Sequence, residues 1–195
     1  MNNITSAEGK ALSVLLIGLC SSDEDHEILN ALCNKVIKIT EDTVEFEDFE
    51  FNYQKVEDIV PDSNVPESFG EIASVVASLT WDGGGPEVGF ELTDDGVSGA
   101  DGWIFDEIED EDEKERIKSA GKGDPMDAFT GGQNALFFDP TRKLTNGEPA
   151  LAFVSHESCE WEEVRSVDSF NYKQIFLRML SDQALSSDYI PEIYF

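Results

Sequence analysis

Two histidines, His26 and His156, and three cysteines, Cys20, Cys33 and Cys159, are the whole stock of imidazole and thiol in this 195-residue chain. His156, Glu157 and Cys159 together hold an imidazole, a carboxylate and a thiol, the parts from which an activated thiolate is made. No oxyanion site accompanies them, and a cysteine three residues from a histidine at a strand end reads as loop chemistry. His26 stands among acids with no second histidine to join it, which fits a solvated surface residue better than a metal ligand. The cysteines are too few and too scattered for a disulfide framework or a zinc site, and read as free thiols in a reducing cytosol. Asp94, Asp95, Asp101 and Asp106, interleaved with glycines, offer the hard oxygen ligands that calcium takes, but their spacing lacks the glycine and the closing glutamate of an EF-hand loop. Gly83-Gly84-Gly85 is not followed by Lys-Ser/Thr and makes no phosphate cradle. These residues assign no catalytic group, no metal and no cofactor, and an enzyme is disfavoured.

What the chain does have is carboxylate. Asp106, Glu107, Glu109, Asp110, Glu111, Asp112 and Glu113 belong to a block, Asp106 to Glu115, with eight acids in ten residues and Lys114 as its only base. A second group, Glu157, Glu160, Glu162 and Glu163, follows in the polar stretch from Ser155 to Glu163. Over the whole chain 42 acids face 13 bases, a net charge of −29. Such a surface repels nucleic acid and anionic membranes, and its natural complement is a strongly basic protein. Solubility or a saline habitat would call for the same charge. The ordinary hydrophobic content and 13 phenylalanines speak against the saline habitat and for a folded core. With so many acids, two lying near each other says nothing about acid–base catalysis.

The elements that must carry these groups are clearest between Asn134 and Leu185. Leu136-Phe137-Phe138 reads as a strand ended by Asp139-Pro140, and Ala150 to Val154 as a second strand with Pro149 in a suitable first position. The turn Thr145-Asn146-Gly147 lies between them, in a long loop of about ten residues that predicts an antiparallel pair. Phe170, Ile175, Phe176, Met179, Leu180 and Ala184 then recur at helical spacing, with Asp168 or Ser169 as the cap. A helix from 168 to 185 would run about 27 Å and cover a small sheet.

Upstream, Leu12, Leu15, Leu16 and Leu19, capped by Thr5 or Ser6, predict one helix, and Ser22 followed by Asp23, Glu24 and Asp25 starts another. A helical hairpin results, with a buried strand over Val14 to Leu19 as the alternative. Ala11 to Leu19, ending at Cys20, also resembles a lipoprotein signal, but the run is short and only Lys10 precedes it as a base. No stretch is long enough to span a bilayer. Val44 to Tyr53 alternates apolar with acidic residues, and the double polar step at Glu47-Asp48 is a bulge or a turn. Pro66 opens a helix with Phe69, Ile72, Val76 and Leu79 inward, which Gly83 to Pro86 must end. Val88 to Leu92 and Gly102 to Phe105 read as strands flanking a turn at Asp94-Asp95-Gly96. The acidic block is a frayed helix continuing toward Ile117 or an acidic loop, and Ser119 to Gly132 is a long loop. The fold class expected is α+β, an antiparallel sheet of about five to six strands flanked by helices. An N-terminal helical extension over 1–40 and a main unit over 41–195 form one globular body.

Asp139-Pro140, Leu151 to His156, Trp161 and Val167-Asp168-Ser169-Phe170, followed by Phe176 and Leu180, come in the order found in the C-terminal half of the SUKH superfamily. Val65-Pro66-Glu67-Ser68-Phe69 is similar to that family's Leu-Pro-x-x-Tyr/Phe helix, with Trp81-Asp82-Gly83-Gly84-Gly85 where the family has an Asn-Gly turn. The resemblance covers roughly residues 60 to 185 and rests on the order of motifs that are individually generic. SUKH proteins include bacterial toxin-immunity proteins and fungal cell-wall-synthesis regulators. Beside the acidity, the resemblance implies a cytosolic immunity protein that binds a basic toxin, plausibly a nuclease, and occludes its active site electrostatically. The two acidic groups above would be the partner-binding residues. The alternative is a non-catalytic regulatory or scaffold protein that binds a cellular partner.

Overall fold

A computed structural model describes the backbone of residues 4–54, 65–76, 78–81, 87–88, 90–93, 96–99, 103–131 and 133–193, and the side chains of 4–54, 65–76, 104–130 and 133–193. The chain opens with α1 (Ala7–Leu16), whose N-cap Ser6 accepts the Gly9 amide at 2.9 Å, and a short 3-10 turn (Ile17–Leu19). α2 (Asp23–Lys35) follows, closed at its start by a reciprocal capping box between Ser22 and Asp25. The helical hairpin is therefore present, and no strand occupies Val14 to Leu19. Its two helices approach so closely at Gly9 that a Cβ there would collide with the Cys33 carbonyl oxygen. That contact is what requires glycine.

β1 (Lys38–Ile39), β2 (Thr43–Glu45) and β3 (Glu50–Gln54) form an antiparallel meander. The polar step at Glu47-Asp48 is a turn, closed by the Phe46 amide on the Phe49 carbonyl at 2.7 Å. α3 (Glu67–Ala73) starts at Pro66 and buries Phe69 and Ile72, but it stops before Val76. Leu79 belongs instead to β4 (Ser78–Trp81), which pairs with β3 and completes a four-stranded sheet. Non-local pairing overrides the helical spacing there, since Val75 and Val76 are β-branched and favour leaving a helix. Gly83 to Pro86 lie outside the described residues. β5 (Glu87–Val88) is followed by an antiparallel hairpin of β6 (Phe90–Thr93) and β7 (Gly96–Gly99). The Asp94-Asp95 turn lies outside the described residues.

Residues 103–107 form a 3-10 turn, not a strand. Ile104, Phe105 and Ile108 all point inward, a helical spacing that a strand would split between two faces. α4 (Glu111–Gly121) resolves the acidic block as a helix. Asp110 caps it, acids fill its first turn and Lys118 lies in its last, so its charge runs with the helix dipole. Ser119 to Gly132 is not a loop throughout, because α4 reaches Gly121 and β8 (Asp127–Gly131) begins soon after.

β9 (Asn134–Lys143) runs through Asp139-Pro140 rather than ending there. Asp139 pairs with Ala150 and Lys143 with Pro149, so residues 140–142 form a bulge. The Asp139 carboxylate fixes it by accepting the Thr141 amide (2.8 Å) and hydroxyl (2.7 Å). The loop to β10 (Pro149–Val154) is then short, with Gly147 at φ +90° in the expected turn. β11 (Trp161–Glu163) completes a five-stranded antiparallel sheet ordered β11-β10-β9-β8-β5. α5 (Tyr172–Leu185) is the last helix among the described residues. Its cap is Asn171, in a capping box with Gln174, which leaves Asp168 free to bind Arg142. Among the described residues there are five α-helices and eleven strands. The α+β class and antiparallel pairing stand as expected, while the strands exceed the five or six expected and divide among two sheets and a hairpin.

Strands β9 and β10 at the centre of the five-stranded sheet are buried on both faces. Leu136, Phe138, Leu151 and Phe153 pack with Phe69, Tyr172, Phe176 and Leu180, in a main core that also takes in Leu12, Leu16, Leu29 and Leu32 of the N-terminal hairpin. Ala135, Phe137 and Val154 face the other way, onto Ile104, Phe105, Ile108 and Ile117. The hairpin is tied to α5 by Arg178, almost wholly buried, which meets Asp25 at 3.0 Å and Glu24 at 2.7 Å and lies over the Phe170 ring at 3.9 Å. Burial pushes the Asp25 carboxyl up, but hydrogen bonds from the Ser21 amide, Arg178, Gln174 and Ser22 outweigh it and hold the pKa below its ordinary 3.8.

Candidate functional site

The acidic block is the outer skin of the second, smaller core. Ile104, Phe105, Ile108 and Ile117 turn inward, which leaves Asp106, Glu107, Glu109, Asp110, Glu111 and Asp112 exposed, with Glu113 half-buried. Phe105 meets the Trp161 ring edge-on at 5.8 Å, and Phe137 meets it at 5.4 Å. That contact brings together two acidic groups far apart in sequence, since Asp106 follows Phe105 while Glu160 and Glu162 flank Trp161. Glu157 and Glu160 are exposed in the turn before β11. Glu162 stands opposite Phe153, whose side chain belongs to the main core, and so lies on the other face of the sheet from α4. The register thus sets Glu162 apart and puts Glu163, opposite Ala152, on the α4 face with Trp161, while Glu157 and Glu160 lie exposed in the turn between β10 and β11.

Several of these carboxylates are already engaged. The Asp110 carboxylate accepts the Glu113 amide at 3.0 Å as the helix cap. Glu111 meets Lys114 at 3.1 Å, and Glu113 takes Arg116 in a two-pronged pair at 2.6 and 2.8 Å. That Arg116 hydrogen bond, opposed by partial burial, holds the Glu113 carboxyl below its usual range. Glu163 meets Arg142 at 3.7 Å and also contacts Arg165. Asp106, Glu107, Glu109, Asp112, Glu157, Glu160 and Glu162 have no ion-pair partner among the described residues.

Two residues that organise this surface were not singled out from the sequence. Arg142, mostly buried, meets both Asp168 oxygens at 2.6 Å as well as Glu163, and lies 4.0 Å from the buried Asp139. It thereby fastens the β9 bulge to β11 and to the approach to α5. Arg116 follows the acidic block and neutralises its inner flank. The usable signal is scarcity: with 13 bases against 42 acids, each arginine is a candidate for a structural ion pair.

The His156–Cys159 pair is not arranged for nucleophilic chemistry. The Cys159 thiol donates to the His156 backbone carbonyl at 3.5 Å, and the imidazole Nδ1 faces Asn134 Oδ1 at 3.0 Å. Cys20 and Cys33 are pushed up to about 11, chiefly by burial, and stay protonated at neutral pH. His26 is exposed. Among the described residues no three His, Cys, Asp or Glu side chains are grouped to hold a metal, and Asp94, Asp95 and Asp101 lie outside those residues. Among the described residues no helix is long and apolar enough to cross a membrane.

Compared with protein-family models, curated proteins and solved structures, the chain matches none.

Proposed function

We propose that this chain is a non-catalytic cytosolic binding protein that captures a basic protein, in the manner of a SUKH-type immunity protein neutralising its toxin. The observation that carries this reading is the α4 layer. It is an acidic helix packed on β9 and β10, with Asp112 on the helix, Glu107 and Glu109 just before it, and Glu157 and Glu160 in the β10–β11 turn all exposed and without an ion-pair partner among the described residues. Carboxylates held on a fixed surface create a field that speeds encounter with a cationic partner, up to about 10⁸–10⁹ M⁻¹s⁻¹ at low salt. Capture of a nuclease before it acts is a task that such a rate suits. Occlusion of the partner's Lys- and Arg-lined substrate site would follow without any chemistry from this chain.

The test compares the wild type with a triple variant, Glu107→Gln, Glu109→Gln and Asp112→Asn, in association kinetics with the product of the gene immediately upstream. A drop in association rate of tenfold or more for the triple variant, with a Glu162→Gln control unchanged, is the expected result. Equal rates for all three proteins would remove the acidic layer from the account. Weak binding to several cellular proteins, with none to the upstream product, would favour a regulatory or scaffold role.

A further inference from the structure

α4 ends beside a groove of about 480 Å³ walled by Lys122, Asp124, Pro125, Pro140 and Pro149, with Met126 and Phe138 also lining it. We infer that this groove takes one aromatic side chain of the same basic partner, an inference that rests on the reading of the acidic layer as the partner-binding face. The groove is continuous with that layer, because Gly121, the last residue of α4, also lines it and abuts Pro140 of the β9 bulge. Its walls are built in advance. Lys122 closes α4 in the left-handed conformation (φ 61°), and both its amide and that of Gly123 are held by the Lys118 carbonyl. The Met126 carbonyl accepts the Phe138 amide at 3.0 Å, and Phe138 is anchored in the main core. Prolines and a core phenylalanine have little freedom to lose when a ligand enters, so the ordering cost is small.

The charges along α4 set what each end accepts. Acids dominate its first half, whereas Lys118, paired with Asp124 at 2.8 Å, and Lys122 stand at its C-terminal end. Of the two charged residues that line the groove, Asp124 is thus neutralised by Lys118, while Lys122 has no ion-pair partner among the described residues. Cations of a partner are drawn to Glu107, Glu109 and Asp112 and turned away from the groove, which leaves the groove for an uncharged group. Its volume lies within the roughly 300–1,000 Å³ of ordinary ligand pockets, and three of its lining residues are prolines, whose C–H groups are suited to pack against an aromatic ring. An anchor is also what the acidic layer lacks. Exposed ion pairs contribute about 0–1 kcal/mol each and are screened by salt, so they set encounter more than residence. Residence comes from a large apolar side chain desolvated in a pocket. Asp112 and Gly121 are separated along the helix by about 14 Å. The partner should therefore carry an exposed aromatic residue about that far from the centre of its basic patch.

Two synthetic peptides test this. Each carries a lysine cluster, followed about four residues later, or about 14 Å in extended chain, by tryptophan in one and alanine in the other. Affinities are measured at low and high salt, and the methyl resonances of Met126 and Met179 are followed, with the core residue Met179 as internal control. The tryptophan peptide is expected to bind at least tenfold tighter and to shift Met126 but not Met179. Filling the groove with Met126→Trp should erase that advantage and leave binding of the alanine peptide unchanged, with an unmoved Met179 resonance reporting an intact fold. If both peptides bind alike, with salt dependence and a stationary Met126, the anchor is wrong while the acidic layer stands. If neither peptide binds in a salt-dependent way, the acidic layer fails, and the anchor with it.

Discussion

Replacing Phe105 by alanine should release the acidic layer while leaving the main core intact. Phe105 is 1% exposed and makes edge-on contacts with Phe137 (6.1 Å) and Trp161 (5.8 Å). Lys118 also lies over its ring at 5.5 Å. Truncating a buried phenylalanine costs about 3–5 kcal/mol, of which each aromatic pair accounts for about 0.5–1.5. The loss falls on a cluster to which the described side chains of the 104–121 segment contribute Ile104, Phe105, Ile108 and Ile117, so Phe105 is one of four buried anchors beneath the acidic layer. Native-state hydrogen exchange is the assay. Protection of the α4 amides should drop by roughly two to three and a half orders of magnitude, the equivalent of that energy, while β9 and β10 amides facing α5 keep theirs. A uniform drop across β9, β10 and α4 would show that the layer is not a separate unit of stability. An unchanged α4 would show that Phe105 does not hold it.

Other perturbations follow from the ties between the hairpin and α5. Arg178→Met leaves the buried Asp25 carboxylate without its cation and should cost about 3–5 kcal/mol in urea unfolding. Adding Asp25→Asn to that variant should recover part of the loss. Because the Asp25 pKa is depressed in the folded state, its contribution is complete above the unfolded value of 3.8 and disappears as pH falls through the lower folded value. Acid unfolding of the wild type, followed by tryptophan fluorescence, should therefore show a component that Asp25→Asn lacks, and identical profiles would refute it. Gly9→Ala forces a Cβ against the Cys33 carbonyl oxygen and should lower stability by about 1–3 kcal/mol, whereas Gly18→Ala, with open space around it, should not. Thermal melts of the two variants decide this.

Where structure is fixed locally, the sequence was readable. Ser22 with three acids makes a capped helix start wherever it occurs, and Asn146-Gly147 makes a turn because Gly147 can hold a φ of +90°. The misreadings share a cause in distant partners. β4 takes Leu79 out of a helical pattern because β3 offers it hydrogen bonds. β9 continues past Pro140 because its bulge needs no ladder bond at that residue, and Asp139 supplies the local ones. The acidic block could not be resolved from spacing because α4 buries a single side chain, Ile117, and one residue has no period. For the same reason the second face of the sheet was invisible: Leu136-Phe137-Phe138 is continuously apolar, as a strand covered on both sides is. Arg178 gave no sign of its partner because Asp25 lies 153 residues away. Of the site, the residue types were legible but not their grouping, since the Phe105–Trp161 contact that unites the two acidic stretches is tertiary.

Titration of the chain against the protein encoded immediately upstream, repeated at low and high salt, tests the central claim most directly. Capture by the acidic layer predicts nanomolar binding that weakens with salt, together with loss of the partner's toxicity. Absence of binding at either salt would contradict the claim and return the charge of −29 to a matter of solubility.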